Sequence, residues 1–405
     1  MINFNKNNSH HSKLCFFAVL CCLFVVIRPQ SASAYNIFKP DIKSQKATVK
    51  NTANQNFPYI SGDFMLENRT DFANNIKSSN ATKPEQFNSF FYLESNGNLH
   101  LHNNWQIKTN WRIQPNATIN NRLTNYPENY RKIFQDDRGW QLSSNAVILE
   151  EIKLQFSNED LKLSLGKLDP QFGTAHFNTK RIGVLTKDFT EDYNLREKLG
   201  ASLVVPLSQH QLKLSLFTND TTKLSSSALD TREANINKNI AGNNRSLNSF
   251  AISALGTNLF YNRNLSYSIG YRKQQVDSAP NMATENALTA NIEYVSKVLG
   301  EDVVYFTEVF QANNFMGEAE RKALYGVMSI LVKYQKWQVG STKIFRNIES
   351  KLLQYNYRDY QNQFNIGYRI NPEFTIDATL AQVKERGIKG NLLAFNFRYF
   401  LSFQN

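Results

Sequence analysis

Cysteine is nearly missing from this chain, and the three that occur sit in one place. Cys15, Cys21 and Cys22 all lie inside the apolar run from Leu14 to Ile27. Without that run, the chain has no disulfide framework, thiolate metal site or cysteine nucleophile. Histidine is also scarce: beyond residue 34 there are only His100, His102, His176 and His210. His100 and His102 share one face of a strand, but no cysteine or third ligand completes a metal-binding spacing, so polar wall residues are the simpler reading. HExxH, GxSxG and Gly-rich phosphate loops do not occur, and no cofactor is expected. No segment after Ile27 approaches the roughly 20 apolar residues of a membrane helix. The hydrophobic share is nevertheless 41%, with 29 Phe and 18 Tyr. The net charge of +12 could suit nucleic acid, but no Lys/Arg stripe interleaved with aromatics is present, which argues against a nucleic-acid partner.

The apolar run has its own reading. Lys6, His10, His11 and Lys13 precede it, and Ala32-Ser33-Ala34 follows. A polar start, a short apolar stretch and a small-residue site form the pattern of a secretory signal, with cleavage expected after Ala34. At about 14 residues the run is too short for a membrane anchor. Cys21 follows Leu20 rather than a small residue, which disfavours a lipoprotein. Three domains are expected: 1–34 as the signal peptide, 35–58 as a polar lead-in, and 59–405 as the folded body. Losing Lys6, Lys13 and Arg28 lowers the formal charge from +12 to about +9.

The body is organised by alternation. Leu393, Phe395, Phe397, Tyr399, Leu401 and Phe403 share one parity, and Asn396, Arg398 and Ser402 lie on the other. Period-two alternation marks a strand with one apolar and one wet face. Similar strands recur in pairs joined by short turns at 103–104, 157–160, 208–210, 262–264, 299–301, 335–336 and 371–373. With an opening strand at Tyr59–Asn68 and the closing one, the count is about sixteen. Longer polar connections are expected at 69–87, 115–143, 169–197 and 219–248. Glu150 falls on the apolar parity between Ile148 and Ile152, which predicts a bulge or an interfacial position. In lipid only helices and closed barrels satisfy the backbone, so the expected fold is an all-β transmembrane antiparallel barrel with short periplasmic turns and long external loops. A soluble sandwich would also alternate, but with shorter strands and no aromatic girdles.

The closing strand, with Phe403 near its tip and Gln404 and Asn405 after it, resembles the C-terminal assembly signal of Gram-negative outer-membrane proteins. The whole body resembles the general porin superfamily. Two stretches, Leu165-Gly166-Lys167-Leu168-Asp169-Pro170-Gln171-Phe172-Gly173 and Glu197-Lys198-Leu199-Gly200, resemble the phosphate- and carbohydrate-selective branches. The resemblance implies an outer-membrane location reached by the secretory route and passive diffusion of small hydrophilic solutes. It further implies contact with outer-membrane lipid and lipopolysaccharide, the barrel-assembly machinery as a folding partner, and a homotrimer as one assembly. It also implies that 169–197 is a third external loop folded into the pore.

Candidate pore residues follow from the wet parity. They are Lys108, Arg112, Lys162, Lys198, Lys213, Arg272, Arg369 and Arg398, with Lys153 and Lys333 beside them, against the acids Glu94, Glu151, Glu293, Glu308 and Asp377. The third loop adds Lys180, Arg181, Asp188, Glu191 and Asp192. The expectation is that these loop acids face Arg112, Lys162 and Lys198 across a constriction with an anion lean. Three rivals differ in kind: a closed structural or adhesin-type barrel, a hydrophobic-substrate transporter, and a barrel-rim hydrolase using His176 with Asp188, Glu191 and Asp192.

Overall fold

Strands that alternate between apolar and polar residues must hide both their edges and their backbone, and closure does both at once. A computed structural model describes residues 57–77, 85–115, 145–176, 185, 187–228, 241–242, 246–277 and 280–404. Residues 1–34 and most of the lead-in fall outside them. The sixteen strands are β1 (Tyr59–Lys77), β2 (Gln86–His100), β3 (Trp105–Pro115), β4 (Asn145–Ser157), β5 (Lys162–Leu168), β6 (Lys198–Leu207), β7 (His210–Asn219), β8 (Ser249–Thr257), β9 (Leu265–Gln274), β10 (Glu285–Val298), β11 (Glu301–Asn313), β12 (Arg321–Tyr334), β13 (Trp337–Ser350), β14 (Tyr355–Arg369), β15 (Phe374–Glu385) and β16 (Ile388–Gln404). Each pairs antiparallel with its sequence neighbours, and β1 pairs with β16 to close the barrel. The expected class and strand number are those observed.

Parity decides which face each residue takes. Outward go Phe64, Leu66 and Phe72 of β1, Trp105 and Trp111 of β3, and Phe395, Phe397, Tyr399, Leu401 and Phe403 of β16, all exposed. Inward go Glu67, Arg69, Asp71, Gln361, Gln363, Asn365, Asp377 and Asn396, all buried by their neighbours. Glu150 sits at the predicted bulge: Asn110 pairs with Glu151 and Trp111 with Leu149. The extra residue turns Glu150 off the outward parity and into the interior.

The two ends of the barrel differ. At one end the connections are short, down to two residues at 208–209, 299–300 and 335–336. At the other, the loop end, they are 78–85, 116–144, 169–197 and 220–248 in the first half, but only 351–354 and 386–387 late in the chain. The expected loop at 69–87 is therefore corrected: β1 continues to Lys77 and β2 begins at Gln86. Alternation is hard to see there because Ala73 and Ile76 are apolar yet face inward, where they join an interior cluster. The turn expected at 262–264 starts earlier: β8 ends at Thr257, and Leu259–Tyr261 is a 3-10 turn.

β5 stops at Leu168, and its last pairing with β4 is Lys167 with Ile152, so the stretch of β4 from Asn145 at the loop end to Glu151 lacks β5 as a partner. The chain leaves that gap as the third loop, L3 (169–197). The segment after β7 returns to the gap, where the Ala228 N–H donates to the Val147 carbonyl at 3.0 Å. Buried Lys167 fastens this corner through Glu197 at 3.1 Å, Asp220 at 3.0 Å and the Leu224 carbonyl at 2.9 Å.

Candidate functional site

L3 crosses the interior, and each part of it is fixed by a different chemistry. Apolar packing comes first. Ala175, Leu185 and Phe189 of L3 join inward residues of β1, β11, β12, β13, β15 and β16, among them Ile76, Phe306, Val327, Ile344, Val383 and Leu392. Phe172, Tyr193 and Leu195 join Phe217, Phe310, Phe315, Tyr325 and Ile348. Apolar residues on the inner face of a water-filled barrel would be misplaced; under L3 they are covered.

Polar latches then set the register. Glu308 of β11 accepts from the Thr174 N–H, from Thr174 Oγ1 at 3.0 Å, from the Ala175 N–H at 3.0 Å, and from the Tyr193 hydroxyl at 2.7 Å. Gly173 takes φ +76 beside it, and a Cβ there would lie 3.2 Å from Glu308 Oε1. Arg346 of β13 holds the far side. It reaches Asp192 at 2.9 Å, Asp359 at 2.6 Å and Glu385 at 3.1 Å, and lies 4.3 Å over the Phe189 ring. The Tyr325 hydroxyl also donates to Asp192, at 2.8 Å. Arg272 of β9 donates to Glu285 at 2.7 Å and to the Tyr193 carbonyl, and sits 4.6 Å over Phe172.

The near wall carries a second charged cluster. Arg112 of β3 pairs with Glu150 at 2.5 Å and lies 5.0 Å over Tyr92. Arg196 of L3 reaches Glu150 at 3.5 Å, Glu191 at 3.1 Å and His176 at 2.7 Å. At the root of L3, Glu151 accepts from the Asp169 N–H at 2.8 Å and pairs with Lys153 at 2.7 Å. Burial first, then the negative charges of Glu151 and Glu150, push the Asp169 carboxyl up to about 8. Burial likewise raises the Asp192 carboxyl, against the pull of Arg346.

The sequence-derived candidates therefore divide. Arg112, Lys198, Lys213 and Arg272 lie around L3: Lys198 donates to Asn219 and Lys213 to Gln171 at the base of the loop. Arg398 is on the interior wall, bound to Asp377. Lys108 is near the foot of β3. Lys162 opens β5, and Arg369 ends β14, both at the short-turn end, so neither Lys162 nor Arg369 belongs to the L3 region. The expected opposition is corrected: Asp192 meets Arg346, and Glu191 meets Arg196, rather than Arg112, Lys162 or Lys198. The reason is reach, since L3 lies against the β11–β13 wall where Ile344, Phe310 and Tyr325 receive it. Lys180 and Arg181 lie outside the described residues; Asp188 is in the short helix α1 (Lys187–Thr190), and its side chain is outside them too.

His100 is bonded to Ser61 at 2.9 Å and stacked 4.1 Å from Tyr59. Among the described residues no group of three or more His, Cys, Asp or Glu side chains could hold a metal. The pattern missed Arg346, Asp359 and Glu385, because β13 and β14 extend further than their apolar parity suggests.

Among the described residues the chain forms a closed sixteen-strand barrel with polar inner walls, and the loop after β5 folds inward. No family model matches the chain, and no curated protein matches its sequence. Solved structures do match in fold. The outer membrane channel DcaP of Acinetobacter baumannii aligns with a TM-score of 0.55 at 10% identity, over 84% of this chain and 97% of that one. The anion-selective porin from Comamonas acidovorans gives 0.53 at 9%, over 84% and 99%. OccAB3 of Acinetobacter baumannii gives 0.50 at 9%, over 85% and 99%.

Proposed function

We propose that this protein is a passive channel for small hydrophilic solutes in the outer membrane of a Gram-negative bacterium, narrowed by L3. The observation that carries this reading is a closed barrel of sixteen strands, charged and amide-rich inside and apolar outside, with L3 latched across it. Barrels of sixteen to eighteen strands leave room for water, and a latched loop reduces that room without filling it with a globular plug. Among the described residues the hydrolase candidates are engaged with other groups: His176 meets Arg196, Glu191 pairs with Arg196 and Asp192 with Arg346. The matched structures, an outer membrane channel and an anion-selective porin, support the same reading.

The anion lean is proposed in a reduced form. Arg112, Arg272, Arg346 and Arg398 each face a carboxylate, so their charges cancel at close range. Lys198 donates instead to the Asn219 amide oxygen, which carries no opposing charge, so its positive field remains near the base of L3. The substrate class is tested by liposome swelling against sugars, phosphate and amino acids of graded size. Uptake that falls with solute size supports a diffusion channel. Swelling with none of them, from vesicles shown to contain folded barrel, would refute it.

A further inference from the structure

The outward face at the loop end of β15, β16 and β1 departs from the rest of the belt. Lys77 of β1 is directly opposite Lys389 of β16, and Lys389 is directly opposite Lys384 of β15. Lys77 and Lys389 are exposed and Lys384 is half-buried, all on the outward parity. Like charges in directly opposed positions repel. Among the described residues none of the three has a carboxylate within ion-pair distance. Glu385, the nearest acid in sequence, is turned inward onto Arg346. Exposed Arg358 of β14 adds a fourth cation on the same face, two residues from Tyr360, which is itself opposite Lys384.

The level of this row is set by what lies beneath it. One step down each strand is a directly paired row of amides: Asn74 of β1, Asn391 of β16, Gln382 of β15 and Asn362 of β14. Below Asn391 the apolar residues begin and run from Leu393 to Phe403. On tilted strands those ten steps give a belt about 25 Å tall. Continuing the lysine row sideways leads to Tyr360 and Phe345, the aromatic level of a membrane interface. Cations, then amides, then hydrocarbon is the order of chemistry met from the phosphates of a lipid headgroup down to its acyl chains.

We propose that Lys77, Lys384 and Lys389, with the amides below them, form a site for the phosphates of a phosphorylated glycolipid in the leaflet at the loop end. The site rests on the reading of the barrel as an outer-membrane protein. It assigns the seam between first and last strands a lipid that neutralises its repelling charges and clamps β1 to β16.

The test is lipid retention by purified protein in detergent, measured by native mass spectrometry. The lipids compared are a bisphosphorylated lipid A, its dephosphorylated form and inorganic phosphate. The phosphorylated lipid should bind wild type and be lost, by about a hundredfold, from K77Q/K384Q/K389Q, taking the usual contribution of each lysine near an anionic surface. K77R/K384R/K389R should retain it. Equal binding of the dephosphorylated lipid, equal retention by the glutamine variant, or displacement by millimolar inorganic phosphate would each overturn the proposal. Bilayer conductance of the glutamine variant, expected to equal wild type, shows that the barrel is folded and separates this proposal from the channel reading.

Discussion

At the scale of single residues, Glu308 and Arg346 carry the position of L3. Replacing Glu308 with Ala removes the acceptor for two L3 backbone amides and two hydroxyls. Each stranded donor costs about 1–3 kcal/mol, which L3 avoids by moving into water. The expected outcome is a larger and noisier single-channel current with an unchanged heat-modifiable gel band. An unchanged current would show that the latch does not set the constriction. Arg346 is only 2% exposed and faces three carboxylates. Arg346→Ala takes their shared cation from these three carboxylates and is expected to destabilise the barrel by roughly 3–5 kcal/mol, read as a lower urea midpoint. Arg346→Lys keeps the charge but loses the fork that reaches several acids, and should fall between.

Asp169 gives the pH dependence. Its folded carboxyl titrates at about 8, above the roughly 3.9 of an unfolded aspartate. The folded state therefore holds a proton that the unfolded state has lost, and stability from this group decreases as pH rises from about 4 to 8. Above pH 8 a new negative charge appears beside Glu151 and Glu150 at the root of L3. Current noise should rise between pH 7 and 9, and Asp169→Asn should abolish the rise. A pH-independent trace from wild type would contradict this assignment.

At the scale of elements, the strands were legible because lipid enforces one face of every strand, and period-two alternation survives in sequence. Legibility failed where that enforcement lapsed. Ala73, Ile76, Ile344 and Val383 are apolar but face inward, because L3 covers them. Their presence hid the upper parts of β1 and β13, and with them Arg346. That L3 turns inward followed from resemblance; which wall it meets depends on contacts more than a hundred residues apart, such as Asp192 with Arg346, which no local pattern encodes. The bulge at Glu150 was visible as a charge on the wrong parity, but not its partner Arg112.

The late loop-end turns carry a further test of element geometry. Arg386 and Gly387 connect β15 to β16 with φ of 48° and 82°, the signs of a type I′ hairpin. Gly387→Val places a β-branched residue at positive φ and should slow closure of the β15–β16 hairpin, lowering folded yield in refolding assays, with current per channel unchanged. A refolding yield equal to wild type would show that this turn does not limit closure.

At the scale of the whole molecule, the described residues form a barrel whose interior charges are largely paired and which L3 crosses, held by hydrophobic cover on one side and by carboxylate latches on both. The basic excess of the sequence is spent in three ways: in ion pairs within the wall, in lysines around the base of L3, and in the outward lysine row at the seam. A count of charges alone therefore overstates the anion lean proposed for the pore. The central claim is that a water-filled path remains beside L3. Single-channel recording of purified protein in planar bilayers tests it most directly. Stable, ohmic steps that enlarge in Glu308→Ala are the predicted result. Silence from both proteins, with folded barrel demonstrably inserted in the bilayer, would contradict it.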